Sequence, residues 1–355
     1  MRVLFALNRL FLPQRVGGVE SSVDELACHL SRSGMDVAVM ARLAPRSIYG
    51  LGVLARRLIH GGMVRSEAFR DRYPIYRTPM MTRDLPEILR DFRPDCVVFQ
   101  AVGRLDLARK IDASGVPVVL HFRDVEFPDR MLDFQPAGVI ANSRFVANRV
   151  EQVFGLEASV LSNVFDPDKY RVSSVGGKVV FINPVPKKGL EMVFRLAEEN
   201  PDIPFLFVEG WPQPKEVLQR IRKRAFKSGN IEWRPHTEDM RTIYANARAL
   251  LVPSQWEEAW GRVVTEAQLS GIPVIASRIG GLPEAVGDGG LLLPPDDFQA
   301  WSSALRRLWF KREEWERFSE KAVLRSRCDD LNPHAIISSF KEIIRCSVAK
   351  MRESH

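Results

Sequence analysis

Short apolar runs rich in β-branched residues alternate with helical patterns twice along this chain, and no other feature of the sequence limits the fold as strongly. In the first half the runs are Val3–Leu7, Val37–Met40, Cys96–Phe99, Val116–His121 and Val139–Ala141. After a loop-like stretch at Tyr170–Gly177 the rhythm restarts with Val179–Ile182, Phe205–Val208, Ile231–Trp233, Leu250–Val252, Pro273–Ala276 and Leu291–Leu293. Such alternation marks parallel strands joined by helices. Its repetition predicts an α/β chain of two doubly wound, Rossmann-like units, residues 1–170 and 171–330, followed by a C-terminal helix in 331–355. That helix has Asn332 as its expected N-cap and Pro333 in the first helical position. Ile336, Ile337, Phe340, Ile343, Ile344 and Val348 form one apolar stripe, expected to pack back across the first domain. Ligands of parallel sheets bind beyond the carboxyl ends of the strands, where helix N-termini also point. Two such units placed face to face are expected to converge on one crevice.

Composition narrows the class of protein. Hydrophobic residues make up 45% and charged residues 27% of the chain, and no run approaches the ~20 apolar residues of a membrane span. The opening Met1-Arg2-Val3-Leu4-Phe5-Ala6-Leu7-Asn8 has too short an apolar run for a secretory signal and reads as a first strand, so a cytoplasmic protein is expected. Cys28, Cys96, Cys328 and Cys346 lack the spacing of a disulfide framework or a zinc site. A net charge of +7 attracts anions in general. No nucleic-acid motif or aromatic-basic alternation accompanies it, and no G-x-G-x-x-G follows the first strand to suggest a dinucleotide oxidoreductase.

The most informative stretch runs from Pro253-Ser254 to Pro273-Val274-Ile275-Ala276 and reads as strand, loop, helix, glycine stop, strand. A helix is expected from just after Gly261 to Gly271, with Glu258 in the loop before it and Glu266 inside it. At about 1.5 Å per helical residue and at most about 3.3 Å per loop residue, the two carboxylates stand about 10 Å apart. That span suits a ligand with hydroxyl pairs at both ends, as in a nucleotide sugar. Between them the backbone N–H groups of Arg262, Val263 and Val264 at the helix start are expected to meet a diphosphate.

Glu258-x7-Glu266, with Trp260-Gly261 inside it and Pro253-Ser254 upstream, resembles the E-x7-E signature of the family-4 retaining glycosyltransferases of the GT-B fold. Gly17-Gly18-Val19-Glu20, Asn142-Ser143-Arg144-Phe145-Val146, Lys188-Gly189 and Gly280-Gly281-Leu282-Pro283-Glu284 are similar to further segments of that family, in the same order along the chain. The resemblance implies a hexosyl transfer that retains anomeric configuration, uses no metal, and draws on a UDP- or GDP-linked sugar. The implied acceptor is a hydroxyl of a glycan, a lipid-linked or a small-molecule partner. It also implies roles. Glu258 holds donor sugar hydroxyls, helped by the backbone of Ala259, Trp260 and Gly261, and Glu266 binds the ribose. Gly17 and Gly18 let the backbone approach the diphosphate, His121 touches the reacting sugar, and Lys188 neutralises the leaving phosphates. Glu284 bonds either its own loop or the donor.

One position departs from the family pattern, because Asn183 stands where the family carries an arginine beside the phosphates. Either Lys187, Arg262 or a first-domain residue replaces that cation, or the chain is a weakly catalytic relative that binds nucleotide sugar to regulate or scaffold. Between residues 46 and 77 lie Arg46, Arg56, Arg57, Arg65, Arg70, Arg72 and Arg77 against only Glu67 and Asp71, with Ile48, Leu51, Leu54, Ala55, Leu58 and Ile59 at helical spacing. This segment is either a solvated basic surface over the first sheet or a contact for an anionic membrane or charged acceptor, which would place the protein at the inner face of a membrane. The single Asp-x-Asp, Asp166-Pro167-Asp168, reads as a turn.

Overall fold

A computed structural model of the chain describes residues 1–59, 66–69, 72–127, 132–174 and 176–353, with backbone alone at 56–59, 66–69 and 352–353. The chain divides into two compact units. One is Met1–Val164 together with Asn332–His355, and the other is Phe165–Leu331.

The first unit is built on β1 (Arg2–Leu10), β2 (Asp36–Arg42), β3 (Ser66–Phe69), β4 (Tyr73–Thr78), β5 (Cys96–Gln100), β6 (Val118–Phe122), β7 (Gly138–Ala141) and β8 (Ser159–Val160). They form one sheet in the order β3-β4-β2-β1-β5-β6-β7-β8, parallel except for β3 against β4. Every expected strand of this half is present within three residues at either end. The pattern missed β3, β4 and the two-residue edge β8. β4 was illegible because Pro74 and Arg77 interrupt its apolar run, and a proline inside a run argues against a strand. Arg77 is nonetheless fully buried. Its guanidinium donates to the Leu12 carbonyl and lies 5.1 Å from the Tyr49 ring, so it leaves the expected surface cluster.

The C-terminal helix Pro333–Glu353 belongs to this unit, with the Asn332 side chain accepting the His334 N–H at 2.9 Å. Ile336, Ile337, Phe340, Ile344 and Val348 join the core of β1, β2 and the helix Gly18–Arg32. Phe340 stacks on Phe5 at 5.8 Å. The stripe that required burial finds it on the first sheet.

The second unit holds β9 (Lys178–Ile182), β10 (Phe205–Val208), β11 (Ile231–Arg234), β12 (Ala247–Val252), β13 (Val274–Ser277) and β14 (Gly290–Leu293), all parallel, in the order β11-β10-β9-β12-β13-β14. Read as 3-2-1-4-5-6, this is the dinucleotide-type doubly wound order, with its switch point between β9 and β12. Two apolar clusters cover its two faces, one around Trp260, Tyr244 and Leu282, the other around Trp301, Phe194 and Phe207. Burial on both faces is why these strands read as continuous apolar runs. Asp166 caps the short helix Pro167–Tyr170 by accepting the Asp168 N–H at 3.2 Å, so the Asp-x-Asp, expected as a turn, opens a four-residue helix.

Candidate active site

In the second unit the loops after β9 and β12, the two strands flanking the switch point, carry Lys188 and Glu258. Gly189, at φ 84, has no room for a side chain, since a Cβ there would lie 2.8 Å from the Pro253 carbonyl carbon. The Gln255 N–H donates to the Lys187 carbonyl at 2.8 Å and ties the same two loops together. On the other side of Glu258, the Gly281 N–H donates to its carbonyl at 2.7 Å, and a Cβ on Gly280 would come within 2.6 Å of its nitrogen. The Lys-Gly and Gly-Gly-x-Pro-Glu segments therefore hold the Glu258 loop by close backbone approach. Glu284, in the second of them, gives its carbonyl to Arg325 at 2.9 Å.

Glu258 is only 8% exposed. One carboxylate oxygen accepts from the Ser254 hydroxyl and from the Lys188 ammonium, the latter at 2.6 Å. The Lys188 nitrogen also lies 5.1 Å from the Trp211 ring centroid and 5.6 Å from that of Trp256. The two indoles meet edge to face, with centroids 6.1 Å apart, and Lys187 stands 4.7 Å from Trp256. Two residues expected on separate duties, Lys188 and Glu258, thus form a partly buried ion pair walled by tryptophan. A paired and hydrogen-bonded carboxylate is held in a fixed geometry in such a place. Sequence reasoning quoted Ser254 and Trp256 without a role and missed Trp211, because the contacts of the two indoles with Lys187, Lys188 and each other are remote along the chain.

Asn183 has φ 63, a left-handed conformation that asparagine tolerates better than other non-glycine residues. Its side-chain oxygen accepts the Trp211 N–H at 2.9 Å. Asparagine here shapes the turn after β9 and fixes the loop that carries Trp211.

Gly261, at φ 86, precedes the helix Arg262–Gln268. Of the three N–H groups expected to meet a diphosphate, that of Val264 is already bonded to the Gly261 carbonyl at 2.9 Å, and a helix of seven residues offers a weak dipole. This corrects the expected three-donor cradle. Trp260 serves the core through its side chain, with its indole N–H donating to the Thr265 hydroxyl at 3.0 Å. Glu266 is 6% exposed; it accepts from the Tyr244 hydroxyl at 2.8 Å and faces the Arg262 guanidinium at 3.3 Å. Burial, then the Glu266 charge, pushes the Tyr244 hydroxyl well above its ordinary range, so it stays a donor. Arg262 also donates to the Tyr170 hydroxyl at 2.9 Å and lies over the Phe165 ring at 4.5 Å. Its charge serves Glu266 and leaves little for the cation missing at position 183.

In the first unit Gly17 precedes the helix Gly18–Arg32 in extended backbone, at φ −173. A Cβ there would meet a Glu20 carboxylate oxygen at 2.7 Å. The glycine thus makes room for Glu20, which is buried against Arg9 at 2.8 Å and Arg15 at 3.5 Å. Burial raises the Glu20 pKa, and the Arg9 charge opposes that shift. His121 is fully buried within β6, and burial, then the charge of Arg123, holds its imidazole well below the ordinary range. The Asn142–Val146 segment caps a helix, with the Ser143 hydroxyl oxygen accepting the Val146 N–H at 3.1 Å. Of the arginine-rich segment, Arg65 and Arg70 lie outside the described residues, as do the side chains of Arg56 and Arg57. Arg72 contacts the Cys28 sulfur at 3.3 Å. Ile48 is 93% exposed and Leu51 59%.

Two family models match the chain in tandem. The model described as Glycosyltransferase Family 4 matches residues 16–169, and that described as Glycosyl transferases group 1 matches residues 178–325. The chain belongs to the family-4, group 1 glycosyltransferases. A D-inositol 3-phosphate glycosyltransferase of Saccharomonospora viridis is 44% identical over 78 residues, 21% of this chain and 18% of the relative. An O-antigen chain mannosyltransferase B of Escherichia coli is 36% identical over 96 residues, 26% of this chain and 24% of the relative. The matched stretches thus span less than a quarter of these relatives. Among solved structures, sucrose-phosphate synthase from Thermosynechococcus elongatus superposes with a TM-score of 0.78, covering 99% of this chain and all of that one at 16% identity. The Anabaena protein HepE, solved with UDP and glucose, gives 0.75, covering 97% of this chain and all of that one at 17% identity. These likenesses show the GT-B fold. Among the described residues no helix is long and apolar enough to cross a membrane.

Proposed function

We propose that this glycosyltransferase moves a hexose from a nucleoside diphosphate sugar, UDP- or GDP-linked, to an acceptor hydroxyl with retention of anomeric configuration and without a metal. The observation that carries the reading is the Lys188–Glu258 pair at the switch point of the second sheet. A lysine ammonium has three donors. One engages Glu258, and the others suit the phosphates on which charge accumulates as the glycosidic bond breaks. A cation placed there favours the transition state over the ground state. Glu258, with one oxygen fixed by Ser254 and Lys188, presents the other to sugar hydroxyls. Glu266, fixed by Tyr244 and Arg262, receives the ribose hydroxyls. The backbone of Ala259, Gly261, Arg262 and Val263 lines the path between them. In the first unit, His121, neutral and buried, is assigned to a sugar hydroxyl, and Gly17 and Gly18 to close backbone approach by a phosphate. The departing phosphate takes the acceptor proton, so no carboxylate nucleophile is assigned.

The acceptor is a hydroxyl of a glycan, a lipid-linked or a small-molecule partner, and the exposed Ile48 and Leu51 support a peripheral contact with an anionic membrane at its cytoplasmic face. A thermal-shift screen of nucleotide sugars finds the donor, because millimolar ligand stabilises measurably even at micromolar affinity. Release of nucleoside diphosphate and NMR of the product anomer then test transfer and retention. A product of inverted configuration, or EDTA inhibition reversed by manganese, overturns those two parts separately. Donor binding without turnover favours a regulatory relative instead.

A further inference from the structure

At the carboxyl ends of β5 and β6, Gln100 and His121 stand in register on neighbouring parallel strands. Both are buried, and each ends in a nitrogen without a hydrogen-bond partner, Nε2 in either case. A buried polar atom left unpaired is costly and calls for an explanation. Arg123, itself 7% exposed, connects the two. Its Nε donates to Gln100 Oε1 at 2.9 Å, one terminal nitrogen donates to Asn163 Oδ1, and the other lies 3.4 Å from His121 Nδ1. A guanidinium has donors only. The Gln100 atom that meets it must therefore be the oxygen, which turns the amide nitrogen away. The imidazole nitrogen that meets it must be the acceptor, which leaves the ring proton on the other nitrogen, Nε2. The 3.4 Å contact is long for a hydrogen bond, but a proton on Nδ1 would face the guanidinium hydrogens and their charge.

We propose that Arg123 is a positioning residue that fixes Gln100 and His121 with their Nε2 N–H donors presented to an oxygen of a bound sugar or acceptor hydroxyl. The ligand's identity rests on the glycosyltransferase reading above; the tautomer and the amide orientation rest on geometry alone. Among the described residues Arg123 is the charged group that faces His121, while β5 contributes the uncharged Gln100 and β7 the apolar Ile140. Burial and that charge act together to keep the ring neutral. Gln100 becomes a ligand contact that no sequence motif announced.

The test is nitrogen-15 NMR of the full chain labelled at histidine, with His121→Gln to assign the signal. The wild type is expected to show a neutral ring protonated at Nε2 at pH 7.5, and Arg123→Leu a shift toward the Nδ1 tautomer. Arg123→Met, which keeps a long side chain without charge or donors, gives the same readout should Arg123→Leu fail to fold. A wild-type proton on Nδ1, a charged ring at pH 7.5, or a tautomer unchanged in a folded Arg123 variant overturns the proposal. With the donor in hand, Gln100→Leu is expected to lower kcat/KM about tenfold, the worth of one hydrogen bond. Unchanged kinetics overturn the Gln100 contact. The Nε2 tautomer without turnover of any nucleotide sugar would sink the transferase reading and leave the positioning role supported.

Discussion

The two acidic side chains of the second unit's site and three polar side chains at the strand ends of the first stand in different states, although Trp256 of the second also keeps a buried indole nitrogen without a partner. At the switch point of the second unit each acidic side chain is already bonded, Glu258 by Ser254 and Lys188, Glu266 by Tyr244 and Arg262. At the strand ends of the first unit, Gln100, His121 and Asn142 each keep a buried atom without a partner. A preorganised set of carboxylates suits a ligand part that never varies, such as the ribose and hexose hydroxyls of a donor. Unsatisfied donors and acceptors suit the part whose arrival completes them. The same topology thus supports bonded carboxylates in one unit and unpaired strand-end polar groups in the other.

The largest loss is expected at Lys188. Lys188→Ala removes the leaving-group cation and strands Glu258 in a buried setting, so kcat is expected to fall about 10² to 10³-fold. Steady-state kinetics with the cognate donor check this. Because the two groups are paired, the Lys188→Ala/Glu258→Gln double variant should lose much less than the product of the single losses; additive losses would mean that the pair does not act as a unit. Asn183→Arg is not expected to rescue Lys188→Ala, since an arginine there would sit at φ 63 and release the Trp211 loop.

A smaller effect sharpens the claim of preorganisation. Ser254→Ala leaves the Glu258 charge but frees its orientation, and a hydrogen bond to a charged group is worth about 1.5–3 kcal/mol. The expected result is a kcat lower by about one order of magnitude, with nucleoside diphosphate affinity measured calorimetrically and unchanged. Tyr244→Phe acts on the other carboxylate and should raise the donor KM several-fold at constant kcat. A fall in kcat alone would move Glu266 from binding to chemistry.

The pH dependence probes the first unit. A histidine held neutral by burial binds fewer protons folded than unfolded, so its contribution to stability is present above the unfolded pKa of about 6.5 and is lost as pH falls below it, at up to about 1.4 kcal/mol per pH unit. Glu20, with its pKa raised by burial, acts in the opposite direction, losing stability as pH rises above the unfolded carboxylate range. Urea unfolding of the wild type and His121→Leu at pH 7.5, 6.5 and 5.5 isolates the histidine, because the variant should lose less stability on acidification. Parallel curves would show that His121 is not the group that resists protonation.

The smallest effect is expected at the surface. Recruitment to anionic liposomes should weaken steeply with salt, and Ile48→Ser/Leu51→Ser should weaken it further. Equal recruitment to neutral liposomes would leave the helix Ile48–Ile59 as ordinary surface.

The sequence by itself determined the strands other than β3, β4 and β8 and the order of their appearance, since runs such as Val179–Ile182 and Phe205–Val208 are buried on both faces and record that burial in composition. It also marked Gly271 as the left-handed stop of the helix after Gly261, and Gly271 adopts φ 66. It marked Glu258, Lys188 and His121 as the residues to watch. What it left out is which of them meet. The Lys188–Glu258 pair, the Tyr244–Glu266 bond and the Arg123–Gln100 bond join side chains brought together by strand order and by loops after different strands. Local propensity carries no record of such encounters, because it depends on neighbours along the chain, whereas these contacts are fixed by which strands pair. For the same reason Asn183 looked like a lost cation in the sequence and proves in the fold to be a turn residue holding Trp211.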